Sequence, residues 1–135
     1  MFNRKKQPPI KSLIAVDSTI QGHISFGEGL RIDGKVHGNV LAIEGRPSIL
    51  VISETAVVNG EIHADHVIIN GKILGPVHAA ELLELQPTAR IEGDVHYKAL
   101  EMHQGALITG RLQPVQTPEE KPALTLASNN AAQQA

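Results

Sequence analysis

The stretch VNGEIHADHVIINGKI, residues 58–73, contains the same short phrase twice. VNGEI occupies residues 58–62, and INGKI starts eleven residues after the start of VNGEI, at residue 69. In both copies an apolar residue opens and closes the phrase, and a glycine stands at its centre. The repetition favours either two β-hairpin turns in a catalytic or metal-binding domain, or the corners of a structure that repeats along the chain.

The same phrase, written [Ile/Val/Leu]-x-Gly-x-[Ile/Val/Leu], recurs through the middle of the chain. Its six copies are IQGHI at 20–24, IDGKV at 32–36, VNGEI at 58–62, INGKI at 69–73, IEGDV at 91–95 and ITGRL at 108–112. A straight strand would send its first, third and fifth residues to one face. The third residue here is always glycine, which favours a corner where φ is positive. Each phrase is therefore predicted to link two short strands.

A single phrase is compatible with a hairpin sheet as well as with a β-solenoid, since Asn-Gly is a strong hairpin signal. However, the next turn follows after only a few residues, which suits a coil that keeps bending in one direction. Apolar residues also recur about every seventeen residues. The first series is Leu13, Leu30, Ile49, Val67, Leu83 and Leu100; the second is Ile20, Val36, Val58, Ile73, Ile91 and Ile108; the third is Ile24, Val40, Ile62, Val77, Val95 and Leu112.

Three strands per turn and six turns predict an all-β parallel solenoid about 29 Å long. EGRPS, residues 44–48, is predicted to be a small loop inserted at one corner. The predicted β-helical core spans residues 13–112. Residues 1–12 form a basic tail with two prolines, and residues 113–135 contain three prolines and few large apolar groups, so both are predicted to be disordered.

The composition excludes several functional classes. Aromatic residues make up only 2% of the chain and cysteine is absent, which excludes disulfides and cysteine-ligated zinc and fits a reducing cytosol. There is no Walker-type loop, no GxGxxG after a strand, no HExxH and no GxSxG. The acidic core and the scarcity of aromatic residues oppose nucleic-acid binding. We therefore predict a cytoplasmic protein that is not an enzyme and uses no cofactor.

Three histidines hold equivalent places in the third series. His63, His78 and His96 each follow an apolar residue of that series, so they are predicted to stack on adjacent coils, about 4.8 Å apart, on the outer face. Such a ladder is a candidate metal site. The favoured interpretation is a solvated row of neutral imidazoles that holds no metal. His37 and His66 are interpreted as exposed surface residues.

Both ends of the chain carry candidate binding residues. Met1 and Phe2 precede three consecutive cations, Arg4, Lys5 and Lys6, and cations near an anionic leaflet contribute about 1 kcal/mol each. Both end coils are apolar and lack polar capping repeats, which invites end-to-end stacking. The predicted polymerisation interface comprises Leu13, Ile14, Val16, Ile20, Leu107, Ile108 and Leu112.

These features together resemble the bactofilins. The core resemblance rests on IDGKVHGNV at 32–40, VVNGEIHADHVIINGKILGPV at 57–77 and ARIEGDVHY at 89–97; the basic N-terminus MFNRKK and the Pro-containing polar C-terminal tail extend it. The family often has a large aromatic residue in its final coil, where this chain has only Leu107, Ile108 and Leu112.

The resemblance implies a right-handed, three-sided parallel β-helix that polymerises without nucleotide into non-polar filaments, through head-to-head and tail-to-tail contacts. It implies binding of MFNRKK to the anionic inner face of the cytoplasmic membrane. It also implies a scaffold for cell-shape, cell-wall or polar-localisation machinery, with cell-wall enzymes as possible clients.

Two other classes stay open. A hexapeptide-repeat acyltransferase is a left-handed β-helix that acts as a trimer, but its repeat is a strict six residues. A monomeric β-helix with a ligand groove would be a binding module.

Overall fold

The computed structural model describes residues 8–115, and every regular element in this range is a β-strand. The predictions for residues 1–7 and 116–135 lie outside the described part. The fifteen strands are β1 Ser12–Ile14, β2 Thr19–Gln21, β3 Ile24–Phe26, β4 Glu28–Ile32, β5 Lys35–His37, β6 Val40–Ala42, β7 Ser48–Ile52, β8 Val57–Asn59, β9 Ile62–Ile69, β10 Lys72–Leu74, β11 Val77–Leu85, β12 Arg90–Glu92, β13 Val95–Met102, β14 Leu107–Thr109 and β15 Leu112–Pro114. The strands thus begin one residue before the predicted core and end two residues after it.

The strands stack into three parallel sheets, which we call faces 1, 2 and 3. Face 1 contains β1, β4, β7 and the second halves of β9, β11 and β13. Face 2 contains β2, β5, β8, β10, β12 and β14. Face 3 contains β3, β6, the first halves of β9, β11 and β13, and β15. Each face has six rungs, which confirms the predicted solenoid of three sides and about six coils.

The strand register confirms two of the three predicted apolar series. Every neighbouring pair of the second series is in register on face 2, and every neighbouring pair of the third series is in register on face 3. Two members of the first series, Leu13 and Ile49, are wrong. Leu13 pairs with Arg31, and Leu30 pairs with Leu50 rather than Ile49. Here several apolar residues are consecutive, so alternation alone does not show which ones face inward.

The core is a thin column of aliphatic side chains between the three faces. Most of its members are isoleucine, leucine or valine, as the low aromatic content predicts. The largest fully buried side chains are Ile32, Leu50, Ile52, Ile62, Ile69, Ile73, Leu83, Leu85, Ile91, Val36, Val40 and Val58. In three coils the corner between faces 1 and 2 has four residues, and the last of the four is a buried alanine. These alanines are Ala56, Ala89 and Ala106.

Glycine occupies the corner between faces 2 and 3 in all six coils. The column consists of Gly22, Gly38, Gly60, Gly75, Gly93 and Gly110. Four of the six phrases found in the sequence lie here, and the overlapping phrases VHGNV at 36–40 and ILGPV at 73–77 complete the column. The other two, IDGKV and INGKI, form the corner between faces 1 and 2. A Cβ atom at Gly38 would overlap the backbone carbonyl of Gly22, so the coils stack closely only because the corner has no side chain.

Gly22 and Gly38 give a matched test of this close stacking. Both have positive φ, +128° and +156°, so alanine strains the backbone at either one by roughly 1–3 kcal/mol. Only Gly38 also lies against a neighbouring backbone, whereas a Cβ at Gly22 meets nothing within 4 Å. We expect Gly38→Ala to lower the free energy of unfolding, measured by urea denaturation, clearly more than Gly22→Ala. Equal losses would contradict the role assigned to the glycine column.

Candidate functional site: open rod ends and a histidine ladder

The first candidate site is the pair of rod ends, where strands lack a partner on one side. Among the described residues, β1, β2 and β3 each pair with a single strand at the N-terminal end. At the other end β14 and β15 do the same, and the second half of β13 has a partner only in β11. Such edges present backbone N–H and C=O groups that another chain can pair with.

Large apolar side chains are exposed at these ends. At the N-terminal end, Leu13 is 58% exposed and Val16 is 55% exposed. At the C-terminal end, Leu107 is 57% exposed and Leu112 is 44% exposed. The other predicted interface residues, Ile14, Ile20 and Ile108, are partly buried against the core in the same end coils.

Two exposed apolar residues of the C-terminal end, Met102 and Val115, were not among the predicted interface residues. Met102 is 46% exposed and lies in register above the fully buried Leu85. The seventeen-residue spacing from Leu85 to Met102 was the available signal.

The exposed apolar residues of the end coils are of two kinds. Leu112, like Met102, is exposed at a position that the preceding coil buries. Leu13 and Leu107 instead pair with the exposed Arg31 and Arg90, so they hold outward positions.

The second candidate site is the histidine ladder on face 3. His63, His78 and His96 are paired in register on β9, β11 and β13. The rings of His63 and His78 are stacked with centroids 4.2 Å apart, and those of His78 and His96 with centroids 4.4 Å apart. The geometry thus brings together the three histidines that the sequence predicts to stack.

A carboxylate that sequence reasoning did not select lies beside this ladder. The Nε2 atom of His63 donates a hydrogen bond to Oε1 of Glu61 over 2.9 Å. This hydrogen bond lowers the pKa of Glu61 below its usual value. In the sequence, Glu61 is separated from His63 by one residue, a spacing that the alternation of a strand would have placed on the same side.

The middle imidazole of the ladder, His78, is harder to protonate than an ordinary histidine. Partial burial, followed by the neighbouring His63 and His96, lowers the pKa of His78 below its ordinary value of 6.5. Glu61 acts in the opposite direction with a smaller effect. A stack of neutral rings is compatible with this spacing, whereas a stack of charged rings repels itself.

A groove runs along the ladder at the corner between faces 3 and 1. One wall is the loop of residues 43–47, which corresponds to the insertion predicted at EGRPS. Ser48, at the end of this loop, is buried and exchanges two hydrogen bonds with Asp65, of 3.2 Å and 2.9 Å. His66 also lines the groove, and its side chain is only 12% exposed, so the prediction that His66 is a surface residue was wrong. His37 is exposed as predicted.

The predicted membrane-binding residues Met1, Phe2, Arg4, Lys5 and Lys6 lie outside residues 8–115. Within that range, no helix is long and apolar enough to cross a membrane.

The lowered pKa of His78 predicts a pH-dependent stability. The unfolded chain binds a proton at this residue at a higher pH than the folded chain does. Stability is therefore lost as the pH falls from 6.5 toward the lowered folded pKa. We expect the melting temperature to fall between about pH 8 and pH 5, and to fall less in His78→Gln.

Glu61 acts in a different pH range, because its contribution is lost only as the pH falls below 4.5. The matched control is His37→Gln, which changes an exposed histidine outside the ladder. An identical pH dependence in His78→Gln and the unchanged protein would contradict the assignment.

A three-sided parallel β-solenoid with open ends defines a class of proteins suited to self-assembly, and comparisons with known proteins identify the family. The family model for bactofilins, described as polymer-forming cytoskeletal, matches residues 12–113. The chain therefore belongs to the bactofilin family, which is a family of structural proteins of the cytoskeleton.

Two bactofilins of Myxococcus xanthus (strain DK1622) are similar in sequence. BacO is 28% identical over 111 residues, covering 82% of this chain and 85% of BacO. BacP is 26% identical over 110 residues, covering 78% of this chain but only 44% of BacP. The matched region is thus less than half of BacP.

Two solved structures are also similar. One is a cryo-EM reconstruction of Thermus thermophilus bactofilin double helical filaments, with a TM-score of 0.69 and 31% identity. The match covers 78% of this chain and 98% of that one. The other is the cytoskeletal bactofilin BacA determined by solid-state NMR, with a TM-score of 0.67, 30% identity and coverage of 78% and 96%. These structures confirm the family and the fold.

Proposed function

We propose that this protein forms filaments by end-to-end stacking of its rods, without a nucleotide. The observation that carries the proposal is the pair of end coils, each with unpaired strand edges and exposed apolar side chains. Stacking two ends would pair these edges and cover the inward side chains of Ile14 and Ile20 at one end, or of Met102 and Leu112 at the other. Neither step requires an energy source beyond burial and hydrogen bonding.

The filament is proposed to be non-polar, with contacts between two N-terminal ends and between two C-terminal ends. Each contact then has two-fold symmetry, so that the same patch meets itself. A polar filament would instead join an N-terminal end to a C-terminal end at every contact. Blocking a single end distinguishes these arrangements.

Leu112→Glu blocks the C-terminal end selectively. Leu112 belongs to the inward series of face 3 but is exposed in the last coil, so glutamate there would place a charge in the contact between rods. In a non-polar filament the intact N-terminal ends still pair, and we expect dimers by analytical ultracentrifugation and no filaments by electron microscopy. Monomers would show a polar filament, and undiminished filaments would contradict the end-to-end contact.

Asn59→Glu is the matched control for this experiment. Asn59 is exposed in the third coil, far from either end, and the same ladder of face 2 carries Glu92 two coils further on. A glutamate is therefore compatible with the fold at this position. The control should polymerise like the unchanged protein, and circular dichroism should show β-structure in both variants.

We also propose that the filament lies on the inner face of the cytoplasmic membrane through residues 1–6. The segment combines an apolar tip, Met1 and Phe2, with the cations Arg4, Lys5 and Lys6. One such tail binds an anionic surface weakly, whereas the many tails of one filament act together. The scaffold would organise cell-shape, cell-wall or polar-localisation machinery, with clients such as cell-wall enzymes.

Deletion of residues 2–6 tests the membrane anchor. We expect loss of co-sedimentation with anionic vesicles, while filaments still form. Vesicles of neutral lipid should bind even the unchanged protein poorly, because the cations contribute only at an anionic surface. Leu112→Glu, which keeps the tail but stops elongation, should bind the same anionic vesicles less well than filaments do. Unchanged sedimentation after the deletion would rule out this anchor.

The acyltransferase is disfavoured by the spacing of the coils. Paired positions on face 2 are fifteen residues apart from Val58 to Ile73 but twenty-two apart from Val36 to Val58. A strict six-residue repeat does not give such variation. A structural role without catalysis agrees with the family, and a purified sample of trimers or dispersed monomers would favour the alternatives.

A further inference from the structure

The ladder on face 3 places nitrogen and oxygen donors close to one another. One donor atom each from Glu61, His63 and His78 lies within 4.8 Å of the other two. A tetrahedral zinc ion with bonds of about 2.0–2.1 Å holds its ligand atoms about 3.3 Å apart. The side chains of Glu61 and His63 are 47% and 42% exposed, so they have room to rotate over this small difference.

The backbone of both histidines is held by paired strands, and Glu61 lies in the corner directly before β9. His63 and His78 are directly paired on β9 and β11 with their rings stacked, and binding one ion requires the rings to rotate out of this stack so that both nitrogens face it. His96 is paired next to His78 on β13, with its ring 4.4 Å away. A ligand set that rests on paired strands loses little entropy when it binds an ion.

The groove provides a second, independent feature. His63, His78 and His96 line it together with Asp65, Glu81 and Arg46. The ladder is thus one wall of a concave surface, where four further carboxylates, those of Asp65 and Glu81 together with Glu44 and Glu101, add negative charge and one guanidinium opposes it. A bound cation would be partly sheltered there while remaining accessible from solvent.

A second cluster of possible ligands lies on face 1, but it is less suited to a metal ion. It consists of Glu84, Glu101 and His103. The carboxylate of Glu84 already accepts a 2.6 Å hydrogen bond from Gln86 and lies 3.8 Å from His66 and 4.0 Å from His103. Two carboxylates and one imidazole, with one carboxylate engaged, form a weaker site for an ion that prefers nitrogen ligands.

We propose that Glu61, His63 and His78 bind one transition-metal ion that prefers imidazole, such as Zn²⁺. Imidazole nitrogens favour zinc, copper and nickel, whereas Mg²⁺ and Ca²⁺ favour oxygen ligands alone. Binding at Nε2 of the neutral His63 ring requires the proton that this atom now donates to Glu61 to move to Nδ1 of the same ring, so the hydrogen bond to Glu61 is exchanged for coordination and no proton is released. The ion would join the third coil to the fourth and stabilise the middle of the rod.

The site lies on an outward ladder, away from the end coils. It therefore neither requires the proposed filament nor interferes with it.

Isothermal titration of the full-length protein with zinc chloride, in a buffer that does not chelate zinc, tests the site. We expect one ion per chain, no heat with magnesium chloride, and a higher melting temperature with zinc. Substitution of Co²⁺ should give the visible absorption of a tetrahedral site. His63→Gln and His78→Gln should each weaken zinc binding at least about tenfold, within the range for losing a metal-site residue.

His37→Gln is the matched control, since it removes an exposed histidine from face 2. It should leave the zinc affinity unchanged. Glu61→Gln separates the carboxylate from the imidazoles and should also weaken binding. The proposal is overturned if zinc gives no heat at millimolar concentration, or if His78→Gln and His37→Gln bind equally well. Unchanged affinity in Glu61→Gln would overturn the assignment of the carboxylate as a ligand.

Discussion

Each coil of the rod is hydrogen-bonded, in parallel and in register, to the coil below it, and every other feature depends on this stacking. Backbone hydrogen bonds at the corners maintain this register, in addition to those between the strands. The amide of Gly38 donates to the carbonyl of Asn59, and that of Gly60 donates to Leu74, each over 3.0 Å. Because a strand alternates its side chains between two faces, one shift of register would turn the aliphatic core outward. The absence of a side chain at the corner allows the close approach.

The same register that builds the core also arranges the outer surface. Residues at equivalent positions of successive coils become neighbours about 4.8 Å apart, even though they are far apart in the sequence. This aligns His63, His78 and His96 on face 3. It likewise pairs Glu84 with Glu101 on face 1, and Lys72 with Arg90 on face 2. Chemical groups on this fold are therefore assembled by repetition along the rod.

The sequence was sufficient to predict most of the architecture, because its glycine phrases and apolar series both follow the coil. The second and third series were correct at every position, since their members stand two residues before and two residues after the corner glycines, which mark the register. The first series failed near Leu13 and Ile49, where several apolar residues are adjacent. The hydrogen bond of His63 to Glu61 was not predictable in the same way, because it depends on side-chain rotamers beside a corner. The placement of the predicted interface residues in the first and last coils followed directly from the predicted number of coils.

The ends of the rod differ from its interior mainly in lacking a neighbour. Val77 and Val95 are fully buried, whereas Leu112, the next member of the same ladder, is 44% exposed. The position is equivalent, and only the covering coil is absent from residues 8–115. The hydrogen bonds and apolar contacts that attach one coil to the next within the chain are thus available between chains. In the proposed end-to-end contact, assembly of the rod would extend the interactions that fold it, and a charge introduced into an end coil would act on assembly before it acts on the fold.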